Sequence, residues 1–239
     1  ANYHKDARTS ISVESLTMDY GIPGSPEGHI NGVDIEMEKI TQKFEHHRDI
    51  AFLPNFKTFD IEQRFVKYEH QEYETKKTFA AVDLGQQILS LQGKLTGEDR
   101  VLGSLIQYRK FIAGGFYWTP DTDEINISIF GFREKEFNFI TVQASSRLEF
   151  LTIKPETTTL SSVNIDQDQI KERNFYYGSY ALSFFKNWQN WKMSSSLMLL
   201  QRAPGIEDMF SDGPHLGSYS YEIGEPTLDP EITQGMEMS

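Results

Sequence analysis

Residues 140–150 read ITVQASSRLEF, with Ile140, Val142, Ala144, Leu148 and Phe150 at alternate positions against Thr141, Gln143, Ser145, Arg147 and Glu149. Successive side chains of a strand point to opposite faces, so this stretch has the pattern of a β-strand with one apolar and one polar face. Working outward, residues 124–133 repeat it, with Ile125, Ile127 and Ile129 on one face and Asn126 and Ser128 on the other. Residues 32–39 set Val33, Ile35 and Met37 against Asp34, Glu36 and Glu38. Weaker segments of the same kind span 8–20, 58–70, 79–95, 100–111, 174–186 and 191–201, and 232–239 starts another with Ile232, Met236 and Met238 in phase. Helical periodicity is weak throughout, and the expected total is about nine full strands and one cut short.

The connections carry as much information as the strands. Short ones are expected at 54–56, 92–94, 133–136 and 187–190, and long ones at 21–32, 70–78, 113–123, 155–171 and 202–230. Short and long links alternate, as in a meander with tight turns at one rim and long loops at the other. Greek-key links of a soluble sandwich would break that order. The expected fold is therefore all-β: an antiparallel up-and-down meander forming part of a large transmembrane β-barrel. Aromatic residues gather near the presumed strand ends, at Phe116, Tyr117, Trp118, Tyr176, Tyr177, Trp188 and Trp191. Two readings of them stay open, an interfacial girdle and ordinary strand packing.

Composition removes several function classes. A net charge of -12 with scattered Lys and Arg gives no basic stripe for phosphate, which argues against a nucleic-acid partner. The absence of cysteine excludes a disulfide framework, a thiolate metal site and a cysteine nucleophile. No apolar run reaches the roughly 18–20 residues of a membrane-spanning helix, and the first residues have neither the basic nor the apolar region of a signal peptide. A barrel crosses instead with strands of about 9–11 residues, and 38% hydrophobic with 13% aromatic residues suits such strands. The chain has no Gly-x-Ser-x-Gly elbow, no phosphate-binding glycine loop and no His-Glu-x-x-His, so an enzyme such as an outer-membrane lipase is not expected.

Residues 202–231 read RAPGIEDMFSDGPHLGSYSYEIGEPTLDPE. Pro204 and Pro214 fix φ while Gly205, Gly213 and Gly224 permit turns that other residues resist, so the block should end a strand and order a compact loop. It closely resembles the RAP…LFSDGPH…EIGNP…PE signature of TonB-dependent outer-membrane receptors. Asp19-Tyr20-Gly21-Ile22-Pro23-Gly24, then Gly28-His29, resembles the DYGIPG loop of that family's zinc- and metal-uptake branch, and Leu105-Ile106-Gln107-Tyr108 resembles its GVQY strand. With Tyr68-Glu69-His70 the likeness extends over most of the chain, although only the 202–231 block is diagnostic.

The resemblance implies a 22-strand barrel plugged by an N-terminal domain, placed in the outer membrane of a Gram-negative bacterium. It implies ligand binding at the extracellular side and energy supplied by the TonB complex through the plug. Residues 1–239 would then be a partial barrel domain without plug, since roughly ten strands leave open edges that lipid does not tolerate. The implied partners are outer-membrane lipid, TonB, and a transported zinc ion or iron chelate, either a siderophore complex or haem. No bound cofactor is expected beyond that cargo. The rival expectation is a soluble or surface β-sheet protein that binds carbohydrate or a protein partner through its aromatics.

The six histidines are His4, His29, His46, His47, His70 and His215. Zinc favours His with Asp or Glu, and three long loops offer that chemistry. They hold Glu27 with His29, then Glu69, His70, Glu72 and Glu74, then Asp212 with His215. The candidate metal residues are His29, His70, His215 and Asp212, read against the plainer alternative of solvated surface side chains. His46 and His47, near the short-turn rim, read as structural. The 113–120 segment lacks the acidic residues that the metal-uptake relatives carry there.

Overall fold

A computed structural model of the chain describes residues 2–4, 6–24, 26, 30–74, 78–115, 119–157, 162–215 and 220–239. Its strands are β1 (Asn2–His4), β2 (Ala7–Ile22), β3 (Val33–Asp49), β4 (Thr58–Glu74), β5 (Val82–Thr96), β6 (Arg100–Gly115) and β7 (Thr122–Glu136), followed by β8 (Thr141–Pro155), β9 (Arg173–Asn187), β10 (Lys192–Arg202), β11 (Asp212–His215), β12 (Ser220–Ile223) and β13 (Glu231–Met238). One short helix, α1 (Ile206–Phe210), lies between β10 and β11. The main sheet has eleven strands in chain order, β1 to β10 and then β13. All its pairings are antiparallel. The all-β up-and-down meander expected from alternation is the fold observed. Among the described residues no helix is long and apolar enough to cross a membrane.

Several boundaries differ from the expected ones. The 32–39 pattern is only the first part of β3, which runs on to Asp49. Gly93 marks no turn: it sits inside β5 opposite Ile61 and Ser104, and the chain reverses at residues 97–99. Residues 133–136 are strand as well, with the turn at 137–140. β4 continues to Glu74, so His70 and Glu72 are strand residues and not loop residues. β1 went unread because three residues carry no period.

Register divides the sheet into two faces. Directly opposed residues share a face, so Ile11, Phe44, Phe65, Leu89, Tyr108, Ile125, Tyr176, Leu199 and Ile232 all fall on one side. This bare face is apolar in its middle and solvent-accessible: Ile106 is 52%, Ile129 56% and Ile11 75% exposed. The opposite face carries charge. Lys43 lies 2.7 Å from Glu45 and 3.2 Å from Glu62, His47 2.7 Å from Asp60, and Arg147 3.1 Å from Glu149, and Arg109 pairs with Glu124.

The main apolar core sits at the long-loop end of the charged face. Phe111, Leu151, Ile153 and Phe175 of the sheet meet Ile165 and Ile170 of the β8–β9 loop and Ile206, Met209 and Phe210 of α1. The chain between β10 and β13 therefore folds back over its own sheet, and this face is the capped face. Glycine spacing also shapes it. A Cβ at Gly103 would lie 2.7 Å from the Phe130 ring and 2.9 Å from the Gly93 carbonyl oxygen, whereas one at Gly131 would meet nothing closer than 3.7 Å. Gly103→Val is expected to lower stability by about 1–3 kcal/mol through overpacking, while Gly131→Ala costs little. Urea unfolding followed by tryptophan fluorescence distinguishes them, and equal midpoints would contradict the packing described.

Candidate functional site

The capping segment is built from polar ties as much as from its apolar residues. Asp208 Oδ2 accepts from Gly205 N at 2.9 Å, closing the first turn of α1. Gly224 N donates to Ser211 O at 2.6 Å and Glu225 N to Asp208 O at 2.9 Å, which binds the return strand to the helix. A Cβ at Gly224 would lie 2.6 Å from Met209 O, so glycine is required there by close approach. The expectation that Gly205, Gly213 and Gly224 serve as special turn residues is corrected on this point. Among the described residues the positive-φ positions are Gly32, Gly115 and Asn55 instead.

Asp212 joins the cap to the β8–β9 loop. Its Oδ2 accepts from Ser162 Oγ at 2.5 Å, Val163 N at 2.8 Å and Asn164 N at 2.9 Å. Its Oδ1 accepts from Asn164 Nδ2 at 2.6 Å and Tyr221 OH at 3.0 Å. Burial pushes the Asp212 carboxyl up, but the hydrogen bonds from Ser162, Asn164 and Tyr221 together outweigh it and hold the group well below the usual carboxylate range. Arg173 makes the second tie, donating to the Pro226 carbonyl and, at 2.9 Å, to Leu228 O. Thr119 Oγ1 and Ser211 Oγ, 3.4 Å apart, add a contact with the β6–β7 loop. Three long loops are thereby fastened to one another over the capped face.

Beneath the cap the sheet presents a polar wall. Arg109 pairs with Glu124 and stands 6.0 Å from the Phe111 ring centroid. Asn126 Nδ2 and Arg147 Nη2 both reach Glu149 Oε1, at 3.2 and 3.1 Å. Burial pushes the Glu207 carboxyl of α1 up, with Arg109 opposing the shift. A hollow of about 230 Å³ lies here, lined by Ile88, Gln107, Arg109, Glu124, Asn126 and Leu151. Such a wall can hold a hydrated polar space, and nothing in it is disposed as a nucleophile with its base.

Of the residues expected to bind metal, His70 and Asp212 are described with their side chains. His29 lies outside the described residues, as does the side chain of His215, whose backbone pairs with Ser220. His70 is on the capped face of β4 with both ring nitrogens engaged, Nδ1 with Tyr68 OH at 3.1 Å and Nε2 with Glu72 Oε1 at 3.0 Å. Glu69 is on the opposite face of the same strand. Asp212, also expected as a metal residue, acts as a loop anchor whose two carboxylate oxygens accept from five protein donors. Among the described residues no group of three or more His, Asp or Glu side chains is placed to hold a metal ion. Ser162, Asn164 and Arg173 went unread, because each acts on a partner about 50 residues away and no local motif announces it.

The aromatic residues divide between the two faces. Tyr176 is 77% exposed on the bare face, its ring 4.7 Å from that of Phe150. Tyr177 points the other way and packs against the capped core. Trp188 and Trp191 sit exposed at the β9–β10 turn. Phe116, Tyr117 and Trp118 lie outside the described residues.

No family model matches the sequence, and no curated protein is significantly similar to it. Among solved structures the chain is similar to a double mutant of the Serratia marcescens hemophore receptor HasR in complex with its hemophore HasA and heme. The identity is 11% and the TM-score 0.68, over 99% of this chain and 40% of that one. The likeness is one of fold, and this chain spans well under half the length of its neighbour.

Asp212→Asn is expected to loosen the cap, since hydrogen bonds to a charged group contribute about 1.5–3 kcal/mol each. The folded pKa lies below the unfolded one, so the carboxylate's contribution is complete above the ordinary carboxylate range and fades only as pH falls through the folded value. Hydrogen exchange of residues 162–165 and 205–225 should show faster opening in the variant at neutral pH, with the difference shrinking in strong acid. Identical protection at neutral pH would remove Asp212 as the anchor.

Proposed function

We propose that the chain is a partial barrel domain of a TonB-dependent receptor in the outer membrane of a Gram-negative bacterium, and that it serves transport and not catalysis. The observation that carries this reading is the two-faced meander, apolar and bare on one side, charged and capped on the other. A soluble sheet would cover its apolar face with a second layer. Lipid is the solvent that leaves such a face exposed while pairing every backbone group between strands. The capped face then lines the lumen, with the long loops at the extracellular rim and the short turns in the periplasm. The 202–231 signature supports the family, and the fold likeness to a hemophore receptor supports the architecture.

The cargo we infer is a scarce metal carried as a chelate, the iron–siderophore and haem options of the class named above. Zinc as a bare ion draws less support, given the engaged nitrogens of His70 and the filled carboxylate of Asp212. His29, His70 and His215 remain the proposed metal-responsive residues of the loop rim, and TonB acts through a plug belonging to the whole receptor.

Two measurements test the reading. Ile127→Arg places a charge at mid-strand on the bare face and should destabilise the inserted protein by about 2–4 kcal/mol, whereas Gln107→Arg on the capped face should be tolerated. If the protein folds and stays monomeric in buffer without detergent, with Ile127→Arg harmless, the barrel reading fails. For the cargo, growth on haem or siderophore iron should require the receptor. Replacing His29, His70 and His215 together should weaken uptake, and unchanged uptake would remove them from the ligand path.

A further inference from the structure

At the short-turn rim the bare face changes character. Within the described strands its charges there are all basic: Arg48 on β3, Arg100 on β6, Arg133 and Lys135 on β7, and Lys186 on β9. At the long-loop rim of the same face the charges are mixed, with Asp19, Asp34, Glu36, Glu38, Glu69, Asp83 and Asp123 beside Lys67, Lys110 and Lys154. Arg100 and Arg133 are drawn to Asp99 of the intervening turn, at 2.6 and 3.6 Å. Lys135 and Lys186 have no carboxylate partner among the described residues and contact aromatic rings instead. Lys135 Nζ lies 5.2 Å from the Phe137 centroid, and Lys186 Nζ lies 5.9 Å from that of Phe139 and 5.8 Å from that of Trp188.

Lys186 also ends an apolar track. On β9 the bare-face residues run Tyr180, Leu182, Phe184, Lys186, beside Leu199, Leu197, Ser195 and Met193 of β10. The mid-strand part of the track, Tyr180, Leu182, Leu197 and Leu199, borders an open groove of about 730 Å³ together with Ala144 and Met236. A second open hollow, at the β9–β10 turn, is lined by Trp188, Trp191, Lys192 and Met193. A strand rising about 3.4 Å per residue covers about 20 Å from Tyr180 to Lys186. At the usual barrel tilt this is roughly 15 Å along the membrane normal, about half the hydrocarbon thickness. That is the reach of one acyl chain from mid-membrane to its phosphate.

We propose that this groove holds an anionic phospholipid of the periplasmic leaflet, its acyl chain along Tyr180, Leu182 and Leu197 and its phosphate against Lys186 between the Phe139 and Trp188 rings. The occupant follows from continuity with the lipid-facing band and from charge. An ammonium held only by ring faces keeps its donors free for phosphate, and the basic rim favours a headgroup of net negative charge. This inference rests on the barrel reading above.

The experiment is native mass spectrometry of the detergent-extracted protein, offered phosphatidylglycerol or phosphatidylethanolamine with the same acyl chains. Wild type should retain phosphatidylglycerol preferentially. Lys186→Gln should weaken that retention about fivefold, equivalent to ~1 kcal/mol for one lysine at an anionic surface. Leu197→Trp, which fills the groove, should reduce retention of both lipids, and Lys67→Gln at the opposite rim should change nothing. Equal retention of the two lipids by wild type, or undiminished phosphatidylglycerol on Lys186→Gln, would overturn the proposal while leaving the barrel intact. A protein soluble without detergent would instead overturn the barrel reading, and this site with it.

Discussion

Backbone pairing is the constraint on which the rest depends. From β2 to β9 each strand is bonded to both chain neighbours, and β10 to β9 and β13, at registers that keep like faces together. An unpaired N–H or C=O held away from water costs several kcal/mol, so the ladder admits few interruptions. Once the ladder is fixed, a period of two assigns every side chain to the bare or the capped face. The ion pairs of the capped face are a consequence: Lys43, Arg64, Lys94, Arg109 and Arg147 each find an acid on the same or an adjacent strand.

The same demand reappears at the long-loop rim in another form. A loop that folds inward carries amides away from water, and each needs a partner. Asp212 supplies acceptors for Val163 N and Asn164 N, Asp208 for Gly205 N, and Arg173 supplies donors for the carbonyls of Pro226 and Leu228. Ile206, Met209 and Phe210 add apolar burial, at about 1.5–3 kcal/mol for each large side chain. The uncommon residues of the 202–231 block are therefore internal fasteners, and they account for the specificity of that string without any ligand.

Legibility followed the solvent on each side of the strand. Where the bare face is apolar and the capped face polar, as in residues 124–133 and 140–150, alternation is clean and the strands are readable. The second half of β3, Ile40 to Asp49, was not, because near the rim both faces become polar and the period fades. Gly93 reads as a turn signal, yet it lies inside β5 opposite Ile61 and Ser104, while Gly103 makes room for the Phe130 ring on the capped face. Helix α1 was missed because five residues are too few to show a helical period. The inward fold of its loop needs Ile165 and Phe175, which no local pattern links to it.

The candidate metal site was the least legible part, for a related reason. Histidines and carboxylates are recognised in a sequence by type, but a ligand also needs an unused lone pair aimed at the cation. His70 has committed Nδ1 and Nε2 to neighbours on its own strand, and Asp212 has committed both oxygens to a loop about 50 residues away. Residue types that suit metals also suit the task of holding long loops inward, and Asp212 performs that second task. A metal site asks for three or four donors with nothing else to bind, and His70 and Asp212, the two candidates with described side chains, already spend theirs within the fold.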